Sequence, residues 1–356
     1  MGRSSTTGAQ AFVTLAAMKI VRRLLALLAW ATLLVSILLT LVRLTAPSSL
    51  TGSLLSAEAP YAVIGYVVAL LVLLVVVAMS PSGRRKIATV GLTLGVVGLV
   101  LHAIWLAPMF LGSQQAAPAG SHPLTVLTLN TSLGRADPAE TIKLATDSGA
   151  DLLVLEGVTS DLLAALDGDG LADLLPYRVG MPATFPIGTM VFSAEPLGDP
   201  TYVKLGQLGV RVAVAGPVPY TLIAVHNARP GDLAQWLHDL RLLRTDASTE
   251  LKTHPVLLVG DFNASRDHGQ FRDVEKAGLR DAAQLANSGW QPTWPSDRQV
   301  RVFGIPIPSL VALDHVLVSK QYTVQSTSTF TIKGTDHKAL LAKLALSCLC
   351  SSSRPG

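Results

Sequence analysis

Polar and apolar positions give the chain two textures. Up to about residue 111 the apolar residues run on without a period; beyond residue 122 they come in short runs of strand length, broken by polar turns. Residues 24–42, 61–79 and 87–111 contain no Asp, Glu, Lys or Arg. Each matches the roughly 20 residues that a membrane-spanning helix needs, so three transmembrane helices are expected. A signal peptide competes as a reading of the first, but its apolar core would be shorter and a small-residue cleavage site would follow. Trp105 and Phe110 close the third stretch, as aromatic residues do at a membrane interface. His102 lies inside it, either as a neutral histidine near the helix end or as a proton or ligand site.

After a Gly-, Gln- and Ala-rich linker over 112–121, strands alternate with helices, which predicts an α/β class. Leu124-Thr125-Val126-Leu127-Thr128-Leu129-Asn130 alternates like a strand and ends in an amide. Asp137-Pro138-Ala139-Glu140 reads as a helix start, with an N-cap acid, proline at the first helical position and Glu at the third, and the helix runs to about Ser148. Asp151-Leu152-Leu153-Val154-Leu155-Glu156 is a buried strand ending in an acid. Further strands are expected over 189–193, 210–215 and 221–226, the last ending at His226. An amphipathic helix is expected over 231–252 and a short one over 271–277. Between them Val256-Leu257-Leu258-Val259-Gly260-Asp261-Phe262-Asn263 stops an apolar run at a glycine, then offers an acid and an amide two residues apart. A strand over 313–319 carries Asp314 and His315 at its start, and Thr335-Asp336-His337 precedes a last apolar strand over 339–346. Residues 43–60 read as a loop, and 347–356 as a disordered tail.

Charge sharpens this division. Mean hydropathy is +0.45 and only 15% of residues are charged, too apolar for an ordinary soluble enzyme. Up to residue 120 there are eight Lys/Arg against one acid, Glu58; from residue 121 there are 20 against 23. The positive formal charge therefore belongs to the membrane part, and the remainder makes no strong electrostatic case for gripping a polyanion. Lys19, Arg22 and Arg23, with the loop Arg84-Arg85-Lys86, belong in the cytoplasm by the positive-inside rule, which makes 1–23 a cytoplasmic flank. Three spans over 24–111 then place residues 122–346 outside the cytoplasm in a multi-pass protein of the cell membrane. Cys348 and Cys350 are too close in sequence for an easy disulfide and too few for a cysteine metal site.

The candidate chemistry gathers at strand ends: Asn130, Glu156, His226, Asp261, Asn263, Asp314, Asp336 and His337. A hard divalent cation takes oxygen ligands such as these carboxylates and the amide of Asn130. A histidine paired with an acid can move a proton or hold charge near neutral pH. Taken singly, each residue also reads as a solvated strand end, a turn former or a structural histidine.

In order, these motifs resemble the endonuclease/exonuclease/phosphatase superfamily of DNase I-like nucleases, sphingomyelinases and inositol-phosphate phosphatases. The residues that carry the resemblance are Leu127-Thr128-Leu129-Asn130, Leu153-Val154-Leu155-Glu156, Val225-His226, Gly260-Asp261-Phe262-Asn263, Leu313-Asp314-His315-Val316-Leu317-Val318-Ser319 and Gly334-Thr335-Asp336-His337. Thr293-Trp294-Pro295 is similar to membrane-anchored bacterial members. The resemblance implies two mainly antiparallel sheets packed face to face with helices outside, a DNase I-like four-layer sandwich, behind the three spans. It implies that Asn130, Glu156 and Asp336 hold or surround Mg²⁺ or Mn²⁺, that Asp261 orients or deprotonates the attacking water, and that Asn263 steadies the phosphate. His337 with Asp314 would serve as the second acid/base or charge stabiliser, and His226 would contact the phosphate. His315 reads equally well as a neighbour packed beside the site. Leu155 departs from the pattern, since many members carry Gln there.

The expected function is a membrane-anchored, metal-dependent phosphoesterase. Its substrate is left open between nucleic acid, as for a nuclease, and a phospholipid head group or lipid-linked phosphate. Arg211 and Arg229 could each help bind a phosphate or simply be solvated. Beyond the bilayer and the phosphate ester, no protein partner is expected. A non-catalytic receptor of the same fold is the rival from another class, and a transporter is a poorer one, because the spans carry no polar pathway apart from His102.

Overall fold

The structure is a computed structural model and describes residues 5–81, 85–111, 116–183, 188–296 and 301–347. Arg84, residues 112–115 of the linker, Cys348, Cys350 and the tail from 351 lie outside the described residues. The chain forms two compact units. One draws on the chain up to Thr45 and on Glu58–Leu106; the other on Ala46–Ala57 and on the chain from Ala107 onward.

The helices before the linker are α1 (Ser5–Thr45), α2 (Leu50–Ala57), α3 (Ala62–Ala78) and α4 (Arg85–Leu106). Of these, α1, α3 and α4 make the first unit. Three helical segments, Ala16–Thr45, Ala59–Ala78 and Arg85–Met109, are long and apolar enough to cross a membrane. Side chains such as Leu27, Leu71 and Val97 face outward, which suits hydrocarbon rather than water. Close helix packing relies on small residues: a Cβ at Gly98 would lie 2.2 Å from the Tyr66 ring, and one at Gly95 would lie 2.9 Å from Leu70. His102 is tied into this bundle. Thr40 Oγ1 lies 3.0 Å from His102 Nε2 and 2.7 Å from the Tyr66 hydroxyl, joining the three helices through one polar knot.

The stretch 43–60, expected as a loop, contains α2. Ser49 starts the helix, its Oγ accepting from Gly52 N at 3.2 Å. The helix buries small residues, Gly52, Ser53 and Ser56, rather than an apolar stripe, so no hydrophobic period marks it. It belongs to the second unit. Ser53 O accepts from His268 Nε2 at 2.9 Å, and Ala46 O accepts from Gln270 Nε2 at 3.2 Å.

In the second unit the elements after the linker begin with β1 (His122–Asn130), α5 (Pro138–Ser148), β2 (Leu152–Glu156), α6 (Ser160–Gly168) and α7 (Leu171–Leu174). Next come β3 (Tyr177–Met181), β4 (Thr189–Ser193), β5 (Thr201–Val203), β6 (Gly209–Val214), β7 (Tyr220–His226), α8 (Leu233–Glu250) and β8 (Val256–Asp261). The chain ends with α9 (Gly269–Glu275), β9 (Arg280–Asp281), α10 (Ala282–Leu285), the small hairpin β10 (Arg301–Val302) and β11 (Ile305–Pro306), β12 (Asp314–Val318), β13 (Tyr322–Thr331) and β14 (Lys338–Leu346). The N-cap expected at Asp137 is present, with its side chain accepting from Glu140 N.

Two six-stranded sheets result, in the orders β13-β14-β1-β2-β4-β3 and β5-β6-β7-β8-β12-β9. Both are mixed: β1 runs parallel to β2, and β7 to β8, while the other neighbours are antiparallel. Each parallel pair needs a crossover, supplied by α5 and α8. The central strands are apolar on both faces because both faces are covered. Thus Leu257 and Val259 enter the core between the sheets, while Val256 and Leu258 pack under the helices with Trp236 and Phe271. The same alternation sends Leu152 and Val154 inward and Leu153 and Leu155 toward the helices of the other side. Leu155 therefore packs in the outer core, whereas Glu156 ends the inner row. The polar strand β13 escapes the period-two pattern because a bulge between Val324 and Ser326 shifts its alternation.

Candidate active site

The parallel pairs decide where the polar residues meet. Since β1 and β2 run together, Asn130 and Glu156 stand side by side at their C-terminal ends; since β7 and β8 run together, so do His226 and Asp261. The antiparallel strand β12 starts where β8 ends, which sets Asp314 opposite Asp261. Thr335 ties the 335–337 turn to β1, its hydroxyl donating to Asn130 O at 2.6 Å. Strand ends far apart in sequence thereby converge at one end of the sandwich.

Asp261 is the hub. Its Oδ1 accepts from Asn263 N at 2.7 Å, and its Oδ2 accepts from Asn130 Nδ2 at 2.8 Å and from Asn263 Nδ2 at 3.2 Å. Nε2 atoms of His226 and His337 each lie 3.9 Å from the same Oδ2. His337 Nδ1 donates to Asp314 Oδ2 at 2.8 Å. Asn263 sits at φ 47°, a left-handed conformation that asparagine tolerates, and its carbonyl accepts from the buried Trp236 Nε1 at 3.0 Å. Gly260 lets Glu156 approach. At φ 134°, a Cβ there would fall 2.2 Å from Val225 O and 2.6 Å from Glu156 Oε1. Gly260→Ala is therefore expected to lower stability by about 3 kcal/mol and abolish activity, checked by thermal melting and a phosphoesterase assay.

The charges are unbalanced. Glu156, Asp261 and Asp314 are all buried, with His337 beside two of them. Burial, reinforced by Asp314 and Asp261, pushes the Glu156 carboxyl well above its usual range. Burial likewise raises Asp261, against the opposing charge of His337. Burial opposes charging His337, but Asp314 and Asp261 outweigh it and bring its pKa up to about 9. Burial pulls His226 down to about 4 despite Asp261, so that ring is neutral at pH 7. The amide of Asn130 lies 3.4 Å from His226 Nε2, and His226 Nδ1 is buried without a partner.

Oxygen atoms suited to a cation are present. Ligand atoms of Asp261, Asp314 and His337 lie within 4.8 Å of one another. Glu156 Oε1 accepts from Thr128 Oγ1 at 2.9 Å, but Glu156 Oε2 and Asp314 Oδ1 are buried without a partner. Buried carboxylate oxygens are seldom left unpaired, and a hard divalent cation would satisfy them. Of the three residues expected around a metal, Asn130 and Glu156 are adjacent. Asp336 is half-buried, accepts from Trp294 Nε1 at 3.3 Å, and is among the charges that raise His337.

Other residues also fall into place. His315 points to the far side of β12, where Nδ1 donates to Asp281 at 2.8 Å and Nε2 to Ala264 O at 3.0 Å. Arg211 pairs with Glu250 at 3.2 Å, away from the cluster. Residues that the sequence patterns do not single out hold the site together: Thr128 under Glu156, Thr293 Oγ1 accepting from Asp314 N at 3.2 Å, and Asn227, whose carbonyl accepts from Asn263 Nδ2 at 3.0 Å. Asn227 directly follows His226 and is open to the same strand-end reasoning.

Residues 127–337 match the Endonuclease/Exonuclease/phosphatase family. None of the curated proteins compared matches the chain. Among solved structures, a functionally unknown conserved protein from Enterococcus faecalis V583 is similar at 16% identity and TM-score 0.51, over 63% of this chain and 100% of that one. An endonuclease/exonuclease/phosphatase family protein from Leptotrichia buccalis C-1013-b has 13% identity and TM-score 0.51, over 62% and 99%. D. rerio TDP2, complexed with single-strand DNA product, has 14% identity and TM-score 0.51, over 62% and 98%. At such identities the neighbours speak for the fold alone. The family match spans more than half of the sequence and takes in every strand-end motif from Asn130 to His337, so the chain belongs to the endonuclease/exonuclease/phosphatase family of phosphate-ester hydrolases.

Proposed function

We propose that the chain is a membrane-anchored, divalent-metal-dependent phosphoesterase whose catalytic unit stands outside the cytoplasm. The observation that carries this reading is the buried group Asp261, Asp314 and His337 beside Glu156, whose Oε2 has no partner. Three apolar helices support the membrane anchor, and the basic residues Lys19, Arg22, Arg23, Arg85 and Lys86 support the sidedness.

The residues divide the work by protonation state. Asp261 accepts a proton from, or orients, a water; Asn263, bonded to both its oxygens, fixes the carboxylate's direction. His337 is cationic at neutral pH and directs Nε2 toward developing charge on a phosphate oxygen, with Asp314 holding its other nitrogen. His226 is neutral, so it can contact a phosphate oxygen without adding charge. Glu156, Asn130 and Asp336 would hold or surround Mg²⁺ or Mn²⁺. The ion would supply Lewis-acid stabilisation of the phosphoryl oxygens.

The substrate is a phosphodiester or phosphomonoester. The DNA-product complex of D. rerio TDP2 favours a nuclease reading, and the three apolar helices favour a phospholipid. The test is a parallel assay of the full chain in detergent, with Mg²⁺, on plasmid DNA and on phospholipid vesicles. Chelator-sensitive hydrolysis of either supports the reading; a folded chain inert on nucleic acid, phospholipid and sugar phosphate overturns it.

A further inference from the structure

A second pocket lies at the other end of β12 from Asp314. It has a volume of about 470 Å³, and its walls include Arg280, Lys320, Gln284, Thr323 and Pro108. Four residue steps separate Asp314 from Val318, which also lines the pocket, so about 14 Å of strand divides it from the active site.

Strand alternation builds the positive wall. In β9, Asp281 lies on the face of the sheet that carries His315, so its neighbour Arg280 lies on the other face, at the sheet edge. Arg280 stands opposite Val318 in the ladder, and Lys320 follows two residues later at the turn into β13. Tyr322 N donates to Ser319 O at 3.1 Å and the Ser319 hydroxyl accepts from Val256 N at 3.0 Å, which pins that turn. No carboxylate pairs with Arg280 or Lys320 among the described residues. Two exposed, unpaired cations at one mouth repel each other and attract an anion.

Pro108 supplies the location. It lies two residues beyond Leu106, the end of α4, so at most about 7 Å of chain separates the helix end from the pocket wall. That is about the depth of a lipid headgroup layer. The segment is held in place, with Met109 O accepting from Gly289 N at 2.9 Å. The fork of Arg280 matches two phosphate oxygens, Lys320 adds a point charge, and the apolar side of Leu285 suits a glycerol backbone.

We propose that this pocket binds the phosphate of an anionic phospholipid from the bilayer that α4 leaves. The proposal rests on the membrane reading of α1, α3 and α4, not on the hydrolytic one. Its test is native mass spectrometry of the full chain in detergent, titrated with phosphatidylglycerol, phosphatidylcholine and inorganic phosphate. The wild type should retain phosphatidylglycerol at least tenfold better than phosphatidylcholine. Arg280→Gln with Lys320→Gln should remove that preference, while Arg241→Gln with Arg244→Gln, on the exposed face of α8, should keep it. Equal retention by wild type and the pocket variant overturns the proposal, as does displacement of the lipid by equimolar inorganic phosphate, which would make the site one for free anions. Carbonate extraction of membranes separates the two failures. A chain released from the pellet overturns the membrane reading; a chain retained there but blind to lipid charge overturns the pocket alone.

Discussion

Replacing His337 by alanine should reduce kcat by about 10²–10⁴-fold while leaving a folded protein, because a positioned acid/base group contributes on that scale. The side chain is buried, holds Asp314 at 2.8 Å and carries the one positive charge expected at pH 7 within the buried trio. Asp314→Asn should show the dependence differently. It removes one of the carboxylates that raise His337 from its ordinary value to about 9, so the imidazolium would discharge at a lower pH. The alkaline limb of the rate profile should therefore move toward acid, with a smaller loss at pH 6 than at pH 8. Melting of the metal-free protein gives an independent reading. A histidine raised by folding stabilises fully below its unfolded value near 6.5, and that contribution is lost as pH rises through about 9. His337→Ala should flatten the melting temperature across this window. An unchanged rate in His337→Ala would remove the histidine from the mechanism.

Glu156→Gln should separate stability from function with opposite signs. The carboxyl is raised by burial and by Asp314 and Asp261, so the unfolded chain ionises first as pH climbs above the ordinary carboxyl value. Folding then loses stability with rising pH until the buried carboxyl ionises as well. Glutamine keeps an acceptor for Thr128 Oγ1 and carries no charge against Asp314 or Asp261. Without metal, the variant should melt a few degrees higher than wild type at pH 7.5, with a smaller gain at pH 5; about 1 kcal/mol corresponds to roughly 2–4 °C at this size. Added Mg²⁺ or Mn²⁺ should stabilise wild type and leave the variant unmoved, and activity should fall by about 10²-fold or more. A variant that melts lower without metal, or that still responds to it, would mean that Glu156 is not where the cation sits.

How much of the molecule is legible in its sequence follows from the same physics. Buried strands announce themselves as apolar runs, and a polar residue at the end of one is conspicuous, so Asn130, Glu156, His226 and Asp261 stand out in the sequence itself. Alternation alone also says that Asp314 and His315 point to opposite sides of β12, and they do. Partnerships across the chain leave no such mark. Nothing local to Asp336 foretells its bond with Trp294, and nothing local to Thr128 foretells its hold on Glu156. The short helix α2 is hidden for a different reason: it buries serine and glycine, which leave no hydrophobic signature.

That helix has a consequence for how the protein is made. Leu50–Ala57 leaves the ribosome long before its partner His268, 215 residues downstream of Ser53, so it waits unpaired while α3 and α4 are made. Under the proposed membrane reading, α3 and α4 are two crossings between α2 and the chain that follows Ala107, and two crossings return a polypeptide to the side it left. On that reading, insertion of α3 and α4 as an obligatory pair is a condition for completing the catalytic unit. A translocation error that strands either helix would then divide one folding unit between two compartments.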